Sequence, residues 1–517
     1  DLIAAYRFLR LTENRIQAWQ DRQSHVLPAT DASRARLARS MGFSDWETFS
    51  DALSGHRRRV QGHFDGIFAD PAPRSESDHP LGGLWSRGID DDQVSMLLMQ
   101  AGFADPDAAR ENLARFRDAI ARKGLSTRAR ERLAVVMPQL LRAIHVGDAP
   151  DLALPRTLTV LEAIIGRTAY LSLLAENPDA LRQLVLLCGK SPWFAERTAR
   201  QPLLLDELLD PRRLFEPLHR KALEPELDDL LAAVDDQDQE QRMERLRQFA
   251  RGNQLRVAAA DVTGVIPLMV VSDYLTEIAE VATARSLSIA WQDLARRHGC
   301  PAGTDDARPG FIVIGYGKLG GIELGYNSDL DLVFLYDEGA GGSTSGERPV
   351  PSEQFYVRLG QRLLHVMTTP TYSGVLYDVD LRLRPDGNKG MIARSLASFS
   401  DYQNNNAWTW EHQALVRARP VAGDARLAER FARVRAEALR QRRDPDRLRD
   451  DVRGMRAKMR DKLDKSDTRR FDLKQGRGGI ADIEFMVQYA VLRWSAVHPD
   501  LTTWTDNIRL LETLRGL

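Results

Sequence analysis

The chain has 517 residues, long enough for two to four domains, and its 43% hydrophobic content fits a folded globular protein. A net charge of -1 argues against a bulk nucleic-acid binder, which carries a basic excess. Two cysteines, Cys188 and Cys300, rule out a disulfide scaffold and fit a reducing compartment, and no 18-residue apolar run is present to span a membrane.

Residues 1–65 read as helices, with Leu2, Tyr6, Leu9, Ile16 and Trp19 at helical spacing and Pro28 interrupting them. His25 has no ligand partner at i+3 or i+4 and reads as an ordinary histidine. Residues 66–93 carry Pro71, Pro73, Pro80, Gly82, Gly83 and Gly88 and read as a linker. Residues 94–304 are rich in Leu, Ala, Arg and Glu. They read as a helical bundle with breaks at Gly124, Pro138, Pro155, Pro178, Pro192, Pro202 and Pro211. The acidic run 235–240 reads as a solvated loop, and Asp261 and Asp273 as helix caps.

The stretch 311–336 organises the rest. Two apolar runs, 311–314 and 330–336, flank a glycine-rich turn and read as strands. Gly315-Tyr-Gly-Lys-Leu-Gly320 spells a dinucleotide-binding fingerprint, but a parallel crossover takes a dozen or more residues. Only Ile322 to Ser328 separate Gly321 from Asp329, so a phosphate cradle is the better reading. Asp329 and Asp331, two apart on a strand, point to one face. Adjacent carboxylates need a counter-charge, and oxygen-only ligands suit magnesium.

Residues 353–367 have the spacing of an amphipathic helix. The run 374–387 alternates so that, as a strand, it would put Asp378, Asp380, Arg382 and Arg384 on one face before Pro385 and Gly387 end it. Three carboxylates can then bind two metals, and two arginines can meet phosphate. Further on, Trp408, Trp410, Glu411, Arg417 and Arg419 fit either a nucleotide cleft or a helix packed beneath the sheet. Residues 431–470 hold 15 Lys or Arg against 8 Asp or Glu and read as solvated helix. The turn Lys474 to Gly479 leads into a helical run from Ile480, equally suited to an anion or to simple helix initiation.

Gly-Gly, a short spacer, Asp-x-Asp and a later Asp resemble the nucleotidyltransferase superfamily. Four motifs are similar to the glutamine synthetase adenylyltransferase family: GYGKLGGIELGYNSDLDLVFLYD (315–337), YDVDLRLRPDGNKG (377–390), WEHQALVRAR (410–419) and DLKQGRGGIADIEF (472–485). The resemblance implies an α+β, mostly helical chain. A polymerase-beta-like α/β core at 305–430 would lie between the 94–304 bundle and the start of a C-terminal helical domain at 431–517. The segment 5–28 resembles the close of the family's deadenylylating half. With no breaker before Leu517, the expectation is a piece of a longer protein holding the adenylylating core.

The resemblance further implies AMP transfer from ATP to a tyrosine of glutamine synthetase. Asp329, Asp331 and Asp380 would be catalytic metal ligands for Mg2+, with Mn2+ as the alternative. Gly320, Gly321, Ser328, Arg382 and Arg384 would hold phosphates. The expected setting is cytoplasmic, with the PII signal protein as partner and glutamine as effector, and with no nucleic acid or membrane. The rival readings are the deadenylylating half, a noncatalytic module that docks on glutamine synthetase or PII, and an RNA nucleotidyltransferase, which the net charge disfavours.

Overall fold

Buried apolar residues define the frame, and the computed structural model describes residues 2–20, 27–28, 30–68, 84–85, 91–337 and 342–517. The chain divides into two units, 1–83 and 84–517. The first contains the helices Leu2–Gln20, Asp31–Ser40 and Trp46–Phe68. Ile16, Leu37, Ala38, Phe49 and Leu53 form its core. His25, Gly82, Gly83 and most of the expected linker lie outside the described residues.

The second unit begins with a helical bundle. Gly124, at φ 60°, ends the helix Pro106–Lys123. Pro178, Pro192 and Pro211 stand in the first turn of their helices, where a missing N–H costs nothing. Pro138 and Pro155 depart from expectation, because the helices Thr127–Val146 and Pro150–Ile164 continue through them. Buried neighbours such as Met137, Leu140, Leu154 and Leu158 hold these helices in the core, and that packing outweighs one lost backbone bond. The 235–240 run is largely exposed, and Asp238 caps the helix Gln239–Val262. Asp261 is no cap: it sits in the last turn of that helix and accepts a hydrogen bond from the Tyr326 hydroxyl at 2.7 Å. Asp273 lies inside the helix Leu268–His298, so it caps nothing either.

The sheet follows. β1 (Phe311–Gly315) pairs antiparallel with β2 (Leu330–Tyr336), from Phe311↔Tyr336 to Gly315↔Leu332. Antiparallel pairing disposes of the dinucleotide fingerprint, whose fold needs a parallel crossover. β3 (Val379–Asp380) and β4 (Ala393–Ser395) both lie parallel to β2, and β5 (Arg419–Gly423) lies antiparallel to β1. Period-two alternation sorts the central strands between two cores. Phe311, Val313 and Phe334 pack with the helices Leu268–His298 and Ser352–Thr368, while Ile312, Ile314, Val333 and Leu335 pack with Leu415, Phe431, Val487 and Val491. The result is α+β and mostly helical. No described helix is long and apolar enough to cross a membrane.

The strand expected at 374–384 shrinks to two residues, and the chain turns from Leu381 onward. The basic segment 431–470 forms the helices Ala425–Leu439 and Pro445–Leu463, but it is not solvated throughout. Arg435 and Arg456 are buried. Arg435 donates to the carbonyls of Leu415, Val416 and Thr502, fastening the C-terminal helices beneath the sheet.

Candidate active site

Chain direction and register bring the acids together. β1 ends in the short helix Gly317–Gly320, and the Tyr316 N–H donates to the Asp331 carbonyl at 2.9 Å. Gly317 has φ 54°, and a Cβ there would stand 2.1 Å from Asp331 Oδ2. Only glycine lets the backbone pass this carboxylate. Across the parallel pair, Asp331 is the register partner of Asp380, and the Leu330 N–H donates to the Asp378 carbonyl at 2.9 Å. Asp329 is exposed at the start of β2.

The two paired acids are electrostatic opposites. Burial, then the charges of Asp329 and Asp380, push Asp331 up to about 6, against the pull of Lys474 and Arg382. Asp380 is held below the usual carboxylate range, chiefly because Arg382 binds it. Arg382 Nε donates to Oδ2 at 2.7 Å and its backbone N–H to Oδ1 at 2.8 Å. A cavity of about 550 Å³ opens on Asp329, Asp378, Asp380 and Arg382, with Leu364 and Thr368 in its wall. That volume suits a small-molecule site.

The donor set fits a hard divalent cation: three carboxylates, oxygen only, with like charge at Asp331 that Lys474 and Arg382 offset only in part. Among the described residues no three acids or histidines converge into a finished metal pocket, and Asp380 is turned to Arg382. Cation binding therefore requires Asp380 to exchange its guanidinium partner for the metal. Replacing Arg382 with alanine should tighten Mn2+ binding, measured calorimetrically without nucleotide, by up to about fivefold, the worth of one exposed ion pair. Asp380→Asn should weaken it. Unchanged affinity in Arg382→Ala means that the two do not compete.

The expected phosphate residues fare unevenly. The amides of Gly320 and Gly321 already donate to the carbonyls of Tyr316 and Gly317, at 2.9 and 3.0 Å, and are not free for a ligand. Both are glycine for packing: a Cβ would meet Arg417 O at 1.8 Å from Gly320 and Arg417 Nη2 at 2.3 Å from Gly321. Arg384 spends its guanidinium on the carbonyls of Leu381, Asn388 and Gly390, knitting the turn after β3. Ser328 Oγ accepts from the Gly325 N–H at 3.0 Å and holds the turn ahead of Asp329. Arg382 is exposed at the cavity but bound to Asp380.

The 408–419 segment resolves residue by residue. Arg417 is buried between Glu323 and Glu484, and Arg419 pairs with buried Glu280, so neither faces the cavity. Glu411 is buried and caps its helix, accepting from the Trp408 N–H at 2.9 Å and from the Tyr402 hydroxyl at 3.0 Å. Trp408 is 71% exposed and forms no core.

Sequence reasoning missed Gly317 and left Lys474 without a role. Lys474 lies within electrostatic reach of Asp331. Its loop is rigidly built: Asp472 accepts the N–H groups of Lys474 and Gln475, and buried Arg456 binds Gln475 and Asp482. Nothing in the local sequence sets Gly317 apart from the neighbouring glycines; its contact with Asp331 arises from the pairing of β1 with β2.

Adjacent acids on parallel β2 and β3, with a glycine turn from β1 pressed against one of them, define a nucleotidyltransferase core. Residues 181–434 match the family model for glutamate-ammonia ligase adenylyltransferase, and 1–68 with 452–516 match that for GlnD PII-uridylyltransferase. Similar relatives are bifunctional glutamine synthetase adenylyltransferase/adenylyl-removing enzymes. Those of Thioalkalivibrio sulfidiphilus and Nitrosococcus oceani are each 50% identical over 99% of this chain and 54% of the relative. That of Pseudomonas syringae pv. tomato is 48% identical over 99% of this chain and 55% of the relative. The chain belongs to the glutamine synthetase adenylyltransferase family. It spans about half the length of the curated relatives it matches.

Proposed function

We propose that this chain transfers AMP from ATP to a tyrosine hydroxyl of glutamine synthetase. The observation that carries this reading is the cluster of Asp329, Asp331 and Asp380, whose mutual repulsion Arg382 and Lys474 offset only in part and a bound cation would relieve further. The tyrosine oxygen bonds to the α-phosphorus, the bond to the pyrophosphate oxygen breaks, and the hydroxyl proton passes to Asp380 acting as base or to solvent. Asp329, Asp331 and Asp380 would hold Mg2+, with Mn2+ as the alternative, which when bound would neutralise phosphate charge and lower the hydroxyl pKa. Gly317 keeps Asp331 in place. Asp380, once released by Arg382, stands nearest the attacking oxygen as ligand or base. Arg382 and Lys474 then face the triphosphate, and Ser328 orders the turn before Asp329.

In this reading 1–65 is a helical tail, 66–93 a linker, 94–304 a bundle, 305–430 the catalytic domain and 431–517 the start of a further helical domain. The family likeness also supports a cytoplasmic setting, the PII signal protein as partner and glutamine as effector.

The test uses the chain with purified glutamine synthetase and labelled ATP. Label should enter glutamine synthetase with release of pyrophosphate. With adenylylated glutamine synthetase, phosphate and magnesium, ADP release should stay at background. ADP release at a rate matching the forward reaction would assign this core to AMP removal instead. Neither activity, with glutamine synthetase still bound, would make the chain a docking module.

A further inference from the structure

One long helix of the bundle touches both acid-bearing segments. Gln239–Val262 carries Glu244, Arg247, Arg251, Gln254 and Asp261, whose spacing puts them on one stripe about 100° wide. The first four meet a single stretch of chain in order. Glu244 accepts from the Thr371 hydroxyl at 2.6 Å and from the Ser373 N–H at 3.1 Å. Buried Arg247 donates from Nε to the Gly374 carbonyl at 2.7 Å. Arg251 donates from Nη2 to the Val375 carbonyl at 2.7 Å, and Gln254 donates to the Tyr377 hydroxyl at 3.2 Å. Helix and segment advance in step up to the residue before Asp378. The Asp378 carbonyl then takes the Leu330 N–H, and β3 follows with Asp380.

Further along, the same stripe reaches the other segment. Asp261 accepts from the Tyr326 hydroxyl at 2.7 Å, in the turn just before Asp329. Trp193 packs on Tyr326 with ring centres 4.9 Å apart, and its indole N–H donates to Asn327 at 3.4 Å. Ser328 Oγ takes the Gly325 N–H at 3.0 Å and closes the turn. A helix rises 1.5 Å per residue, so Arg251 and Asp261 grip the two segments ~15 Å apart on one rod.

We propose that Arg251 and Asp261 are positioning residues that fix Asp380 and Asp329 relative to each other. Both act through others, Arg251 through Val375 and Asp261 through Tyr326. A cation shared by the acids needs them well placed, because a hard ion such as Mg2+ demands near-ideal geometry. The acids come from separate segments, and β3 pairs with β2 through only two residues. So short a pairing is weak by itself, and the helix supplies the missing constraint. Only the kinetic readout below rests on the proposed AMP transfer.

The test is hydrogen exchange of the metal-free chain, resolved at the Leu330 amide, beside the kinetics of AMP transfer. Tyr326→Phe keeps the ring against Trp193 and loses only the hydroxyl bond to Asp261. Arg251→Met keeps an apolar stem and loses the bond to Val375. Each should speed exchange at Leu330 about tenfold, while amides of the helix Pro150–Ile164 keep parental rates. In each, kcat should fall about tenfold or more, with KM for glutamine synthetase unchanged. Asp261→Asn, whose amide oxygen still accepts from Tyr326, should match the parent in both measurements. Unchanged exchange at Leu330, exchange raised uniformly along the chain, or an Asp261→Asn variant as slow as Tyr326→Phe overturns the proposal. A parent that transfers no AMP, with Leu330 responding as expected, refutes the transfer reading and leaves the positioning role standing.

Discussion

Asp331→Asn should lower AMP transfer by about a thousandfold or more while leaving the fold intact. Removing one ligand charge from a site that stabilises a polyphosphate transition state costs several kcal/mol, and each 1.36 kcal/mol is tenfold in rate. Asn keeps the shape, and Asp331 carries no hydrogen-bond donor among the described residues that an amide would lose. The same change should alter how stability depends on pH. Asp331 is raised from 3.8 to about 6, so the folded state disfavours its ionised form. Its favourable contribution is complete below 3.8 and lost as pH rises to about 6. The metal-free parent should therefore lose more melting temperature between pH 4 and pH 7 than Asp331→Asn does. A variant with near-parental transfer, or one with an unchanged pH profile, removes Asp331 from the site.

Gly317→Ala should cost rate far more than stability. The residue sits at φ 54°, where a side chain costs ~1–2 kcal/mol of strain. Its Cβ would also lie 2.1 Å from Asp331 Oδ2, so the carboxylate must move. Misplacing a reacting group by about 1 Å can cost a hundredfold in rate. Gly320→Ala makes the contrast. Its Cβ would meet the Arg417 carbonyl at 1.8 Å and the Gly315 carbonyl at 2.4 Å, atoms of buried backbone that cannot yield. That variant should lose folding before chemistry. Melting curves beside single-turnover rates separate the two, and equal rate loss per degree of melting would make Gly317 merely structural.

Much of this architecture is written in local pattern. Apolar runs at 311–315 and 330–336 become β1 and β2 because both faces of the central strands are covered, so nearly every residue is buried. The spacing of Phe355, Leu359, Leu363 and Met367 suffices for the helix Ser352–Thr368, which offers one buried face to the sheet. Asp329, Asp331 and Asp380 were legible for a related reason: a charge repeated inside apolar strand sequence stands out against its surroundings.

Other features depended on partners distant in sequence. The alternation from Gly374 to Arg384 reads as one strand, yet pairing stops at Asp380, where Arg382 closes on the carboxylate and Arg384 reels in three carbonyls. Gly317, Gly320 and Gly321 are alike in sequence. What separates them is contact, with a carboxylate from β2 in one case and with Arg417 in the others. The buried arginines follow the same logic, since Arg417 and Arg419 became structural only when Glu323, Glu484 and Glu280 arrived from other helices. By itself, then, the sequence determined the elements whose periodicity is local and the family, and it singled out the acids of the candidate site. Tertiary structure decided where β3 ends, which glycine guards Asp331 and which arginines are taken up in structural pairs. Those outcomes rest on sterics and charge pairing between segments far apart in the chain, which local periodicity does not encode.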